Sequence, residues 1–168
     1  MASTYTPLAT TTLGGNTASY TFGSISSAYT DLILIARIQQ VTDGEDVAIQ
    51  FNSDTGTNYS RTYLCGDGST AHSGRSTSST SIICDHHATP PTTNAFSTNI
   101  IHIQNYSNTN TNKSILARSG SSGTLAATVA VSGLWRSNTA VNSVTIFCTN
   151  GSNMKANTTL SLYGIKEK

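Results

Sequence analysis

The stretch from Asp31 to Gln39, DLILIARIQ, constrains the fold more than any other part of the chain. In an extended ribbon successive side chains alternate, so Leu32, Leu34, Ala36 and Ile38 share one side while Ile33 and Ile35 share the other. Neither side suits water until Arg37, and the pattern predicts a mid-sheet strand covered front and back. The run is too short to cross a bilayer as a helix, and the polar, turn-forming SSAYTD leads directly into it.

A strand of that kind needs layers around it, and composition favours strands to supply them. Ser, Thr and Asn make up roughly two-fifths of the 168 residues, which disfavours helix interiors and favours strands and polar turns. The length predicts a single domain over residues 1–168 with a short extended segment at its N-terminus. Only 10% of residues are charged and the net charge is +1, with Lys and Arg scattered singly, so nucleic acid is not an expected partner. No apolar run predicts membrane insertion, and MASTYTPLATTT has neither the basic nor the apolar region of a classical export signal. The three cysteines, Cys65, Cys84 and Cys148, lack CxxC spacing and are expected to be reduced thiols, consistent with synthesis in a cytosol.

Strands are expected over Tyr5–Leu13, Ser19–Phe22, Val47–Phe51, Ser60–Leu64 and Ser81–Cys84. Asn99–Asn105, Lys113–Arg118, Ala126–Trp135, Val141–Cys148 and Thr159–Ile165 continue the series, each bounded by Gly or Asn clusters. Thr42-Asp43-Gly44 reads as a hairpin turn, Asn108–Asn112 as a second, and Gly66–Thr80, almost without apolar side chains, as a long surface loop. With no amphipathic helix or heptad repeat, the pattern predicts an all-β, two-sheet antiparallel sandwich of the jelly-roll kind.

Motifs that suggest chemistry have plainer readings. Asp54-Thr55-Gly56 is the triplet of aspartic protease turns, but without a second copy it reads as a turn. Cys84-Asp85-His86-His87 holds three metal-ligand types, yet adjacent histidines on an extended chain face opposite ways. His86 and His87 are therefore weak metal candidates, and no metal or other cofactor is expected. Asp43, Glu45 and Asp46 lack calcium-loop spacing and read as a solvated tip. No G-x-S-x-G elbow or distinctive carboxylate pair is present, so no catalytic residue is assigned and the chain is read as a non-enzyme. The N-x-[ST] sequences at Asn58, Asn105, Asn112, Asn150 and Asn157 are attributed to composition. Tyr106 and Trp135 are among the aromatics that could stack on a sugar, or serve as core anchors.

The opening MASTYTPLATTTL, the segments FNSDTGTNYS and IQNYSNT, and the late GLWR, VTIF and LSLYGIK resemble a family of small phage virion proteins and phage tail-fibre end domains. The resemblance implies a non-enzymatic β-sandwich on a virion, made in the bacterial host cytoplasm and commonly trimeric. Two placements follow from it. One is a decoration, or cement, protein on the major capsid shell; the other is a receptor-binding tip of a tail fibre or spike that recognises host-surface glycan. The first strand begins within a few residues of Met1, leaving no room for an attachment domain or stalk, and this favours decoration. Under either placement Tyr5, Leu8, Leu13, Ile101 and Ile103 are expected to make contacts with other copies, with the major capsid protein or with tail proteins. Under the second, Tyr106 and Trp135 would hold the glycan.

Overall fold

The computed structural model describes residues 4–42, 45–85, 95–121 and 127–166. The strands are β1 (Tyr5–Thr12), β2 (Ser19–Phe22), β3 (Asp31–Ile38), β4 (Val47–Phe51), β5 (Tyr59–Gly66) and β6 (Ala71–Ser79). They continue with β7 (Ile82–Ile83), β8 (Ser97–Gln104), β9 (Lys113–Ser121), β10 (Thr128–Trp135), β11 (Val144–Cys148) and β12 (Thr159–Ile165). Every pairing between them is antiparallel. The larger sheet has the order β1-β12-β3-β8-β9-β10-β5-β6, and the smaller β2-β11-β4-β7.

These orders contain a nested hairpin. β1 pairs with β12, β2 with β11, β3 with β8 and β4 with β7, so the first four strands run against the later ones in reverse order. Rolled up, such a ribbon places its successive pairs alternately in the two sheets, which is the jelly-roll arrangement. The pairs β5–β6 and β9–β10 are insertions, and both extend the larger sheet beyond β8. The predicted all-β sandwich is thus the observed fold, with four strands facing eight.

The core is built from every second residue of the central strands. Leu32, Leu34, Ala36 and Ile38 of β3 are fully buried, as are Ile101 and Ile103 of β8, Ile115 of β9 and Ile49 and Phe51 of β4. Ile101 and Ile103 lie opposite Leu34 and Leu32, so they fill the space between the sheets. They are consequently not contact residues, and the expectation that they bind a neighbour is corrected. Leu13, only 7% exposed, also belongs to the core, while Leu8 packs partly against it and Tyr5 is 54% exposed. The bulge in β1 falls between Pro7 and Ala9, where a residue without an amide proton is tolerated at a sheet edge.

Three further expectations change. Among the described residues no second layer covers the other side of β3, and Ile33 and Ile35 are half-buried on the outer surface of the larger sheet. The Asp-Gly signal does not join a hairpin, because β3 and β4 lie in different sheets; Asp43 and Gly44 themselves lie outside the described residues. The stretch read as a surface loop contains β6, which pairs with β5 from Gly66↔Ala71 to Tyr59↔Ser79. Its side chains are largely exposed on both faces, so it carries no alternation that a sequence could display.

Close approach of the sheets is fixed at Gly133, on the inner face of β10. A Cβ there would lie 2.7 Å from Ile82 Cγ2 and 2.8 Å from Ile115 Cγ1. Gly120, in β9, has nothing within 4 Å of its Cβ direction. Gly133→Ala should lower stability by about 1–3 kcal/mol in equilibrium denaturation through overpacking, while Gly120→Ala should cause no loss. Equal stability of the two variants would refute this account of the sheet contact.

Candidate functional site

The uncovered outer face of the larger sheet gathers the most unusual surface of the molecule. Register puts Tyr163, Ile33, His102 and Leu116 in one cross-strand row. The next outward row holds Ser161, Ile35, Ile100, Arg118, Ala130 and Leu64. Leu116 is 52% and Leu64 is 63% exposed, and Ile33, Ile35, Ile100 and Tyr163 are half-buried. A depression of about 250 Å³ lies among Ile33, Ile100, His102, Leu116 and Arg118. Beside it His102 Nε2 sits 2.7 Å from Asp31 Oδ2. Asp31 Oδ1 accepts from the Asn105 amide at 2.6 Å, which ties the face to the β8–β9 turn. Arg118 is exposed, and no carboxylate among the described residues lies within ion-pair distance of it. The face is therefore apolar at its middle and cationic at one flank.

The two aromatics considered for glycan stacking are inside the protein. Tyr106 is fully buried, its hydroxyl donating to the Ser26 carbonyl, and burial raises its pKa. Trp135 is 2% exposed and packs against Phe51 and Tyr59, with ring centroids 5.5 and 6.2 Å away. Neither offers a face to a sugar, and that assignment is corrected to core anchors.

Trp135 explains the Asp-Thr-Gly triplet. Its Nε1 donates to Asp54 Oδ2 at 2.7 Å, the Asn58 side-chain amide donates to the same oxygen at 2.9 Å, and Gly56 N donates to Oδ1 at 2.8 Å. Tyr59, the first residue of β5, donates its hydroxyl to the Asp54 carbonyl at 3.0 Å, and burial pushes its pKa up to about 12. The donors from Trp135, Asn58 and Gly56, chiefly the indole, hold the Asp54 carboxyl below its ordinary 3.8. Asp54 is the clasp of the β4–β5 turn.

The remaining candidates are separate. Cys84 is fully buried and its thiol is driven strongly upward by burial, while burial pushes Cys148 up to about 12. Cys84 N donates to the Val47 carbonyl, and Val47 is in register with Cys148. Two strand spacings of about 4.8 Å therefore separate the cysteines, beyond the ~7 Å Cα limit for a disulfide. Both are free, as is Cys65. His86 and His87 lie outside the described residues. Glu45 accepts from the Thr149 hydroxyl and the Asn150 amide, and so clamps the end of β11. Among the described residues no three His, Cys, Asp or Glu side chains gather as a metal site. Nor does any helix among them have the length and apolarity to cross a membrane.

No family model matches the chain, and no curated protein matches it. Among solved structures, a crystal structure of a protein of unknown function from Shewanella oneidensis MR-1 aligns over 98% of this chain and 77% of its own, at 8% identity and a TM-score of 0.31. At that distance the likeness carries no argument about function.

Asp54→Ala leaves the Trp135 indole N–H without its acceptor, and should cost about 1–3 kcal/mol at neutral pH. Because the folded carboxyl titrates below 3.8, the contribution of Asp54 is complete above that value and is lost as pH falls through the folded pKa. The deficit of the variant should accordingly shrink below about pH 4 when unfolding is followed by the fluorescence of Trp135, the sole tryptophan. A deficit constant from pH 7 to pH 2 would contradict the carboxylate's role.

Proposed function

We propose that the chain is a non-enzymatic structural protein of a bacteriophage particle, a capsid decoration protein that associates with itself as a trimer and binds the major capsid shell. The observation that carries the reading is the apolar outer face of the larger sheet, where Leu116, about half exposed, shares a depression with Ile33 and Ile100, and Ile35 and Tyr163 continue the apolar surface. Scattered single leucines on a surface need no explanation, whereas a contiguous apolar group in register marks a contact. In this reading the face packs against a neighbouring copy, which supplies a carboxylate to Arg118.

Contact with the shell falls to β1. It is the terminal strand of the larger sheet, no further strand pairs with it among the described residues, and a partner strand can add to such an edge through main-chain hydrogen bonds. Leu8, partly buried against the core, steadies the strand from within. The family resemblance of the sequence supplies the phage context, and a fold assembled from two sheets with free edges suits a protein whose work is adhesion to other proteins.

Two measurements test the proposal. Native mass spectrometry should find trimers for the wild type and at least tenfold weaker association for Leu116→Asp, with the circular dichroism of the two unchanged; a wild type that stays monomeric at all concentrations would refute self-association. Quantitation of purified particles should give hundreds of copies, and a few or dozens would exclude decoration.

A further inference from the structure

The turn that follows β11 contains the chain's one Asn-Gly pair, Asn150-Gly151; none of its other asparagines precedes a glycine. Both residues are exposed, and both have positive φ, 51° at Asn150 and 77° at Gly151. Left-handed backbone is tolerated by asparagine and natural to glycine, so the pair reverses the chain where a β-branched residue would be strained. The Asn150 side-chain amide donates to Glu45 Oε2 at 2.8 Å, an oxygen that also accepts from the Thr149 hydroxyl at 2.9 Å.

We propose that Asn150 is a site of self-modification, a spontaneous deamidation through Gly151 that the Glu45 carboxylate holds in check. In this reaction the Gly151 backbone nitrogen gives up its proton and attacks Asn150 Cγ. A bond forms between the two atoms, the Cγ–Nδ2 bond breaks, and Nδ2 leaves with the proton as ammonia. Water then opens the five-membered imide at either carbonyl, which leaves aspartate or isoaspartate at position 150. Water is the sole co-reactant, and nothing is oxidised or reduced.

Glycine hinders the attack least, because it has no Cβ beside the nitrogen, and nothing lies within 4 Å of the Cβ direction of Gly151. Closing the ring requires Asn150 to rotate well away from its ψ of 25°, and its side chain must leave the place that the bond to Glu45 fixes. That bond is charge-assisted, so its opening sets how often the reactive geometry is reached. Asn52 and Asn142 each precede a serine, whose Cβ crowds the nitrogen. Asn52 is also held through its side chain by the Ala140 carbonyl and by the amides of Asn142 and Ser143.

What the turn holds decides what the modification would do. Thr149 N donates to the Asp46 carbonyl and Asp46 N to the Thr149 hydroxyl, both at 2.9 Å. Thr42 N donates to the Ser152 hydroxyl at 3.2 Å and Val41 N to the Asn153 carbonyl at 2.9 Å. The turn thereby ties down the end of β3 and the start of β4. A carboxylate in place of the amide would meet Glu45 at hydrogen-bond distance, where like charges repel. Isoaspartate would add a carbon to the main chain and move Ser152 and Asn153 away from Thr42 and Val41. The site belongs to the smaller sheet, and the inference stands without the proposed structural role.

The test ages the intact protein in mildly alkaline buffer beside a synthetic peptide of residues 149–153, and follows both by peptide-mapping mass spectrometry. Conversion should be confined to Asn150 and run about tenfold more slowly than in the peptide, the worth of one charge-assisted hydrogen bond. Glu45→Ala should quicken it about tenfold, and Glu45→Gln, which keeps an oxygen acceptor, by less. Asn150→Gln should show no conversion there. The aged protein should exchange the amide hydrogens of Val41, Thr42 and Asp46 faster, with those of β3 and β8 unchanged. No conversion at Asn150 once the peptide is spent, earlier conversion at another asparagine, or a rate equal to the peptide's would each overturn the proposal. An unchanged rate in both Glu45 variants, with their thermal melts intact, would overturn it as well.

Discussion

A strand can hide one of its faces in a two-layer sandwich, and everything distinctive here follows from eight strands sharing that arrangement with four. The nested pairing of β1 to β4 with β12, β11, β8 and β7 accounts for equal sheets of four. The inserted pairs β5–β6 and β9–β10 both join the same sheet. Four strands cannot roof eight, so β6 is exposed on both sides and depends on its ladder with β5. Where the sheets do meet, Gly133 lets them approach closely enough for Ile82 to sit against β10. The buried centre and open outer face belong to any two-layer sandwich, and the overhanging edge is what the inequality in strand number adds.

The alternation of polar and apolar residues made most of this legible. β2 and β12 coincide with the segments expected from sequence, and β3 sits inside its sheet as its composition requires. Parity was the harder question. Ile100-Ile101-His102-Ile103 states that Ile101 and Ile103 share a face, but the side that faces the core is settled by pairing with Leu34 and Leu32, about seventy residues earlier. The apolar run of β3 suggested cover on both sides for the same reason: a sequence records that a face is apolar, and does not record whether a second layer of the same chain lies over it. β6 escaped detection because no core demanded apolar residues of it, and the Asp-Gly signal misled because a sharp turn in a jelly roll can carry the chain between sheets as well as back along one.

The residues that suggested chemistry show how structural demands imitate catalytic motifs. An indole N–H buried at a strand end needs an acceptor, and a carboxylate in a tight loop supplies a strong one; Asp54 answers Trp135 across 81 residues of sequence. The glycine two residues on contributes its amide to the same carboxylate, so an Asp-x-Gly triplet arises from turn geometry alone. Cys84 and Cys148 likewise occupy neighbouring inward positions as small apolar side chains on either side of Val47. The site residues that sequence reasoning missed, Leu116 and Leu64 on the face, come from strands far apart in the chain. Only the register of the sheet brings them together.

That register also keeps the two surfaces of the larger sheet apart. Rows of side chains follow one another at about 6.6–6.8 Å along a strand, so the apolar rows through Leu116 and Ile100 and the polar row through Arg37 are parallel bands on one face. A neighbour seated on the apolar bands can stop short of the Thr98 and Gly120 positions, where its own apolar side chains would gain little. Arg118 lies in the band nearest the polar row, and a carboxylate drawn to it from a partner would place the edge of the contact there. The sheet thus divides along its strands into bands whose apolar side chains would gain by being covered and a band of hydroxyls around Arg37 that is already at ease in water.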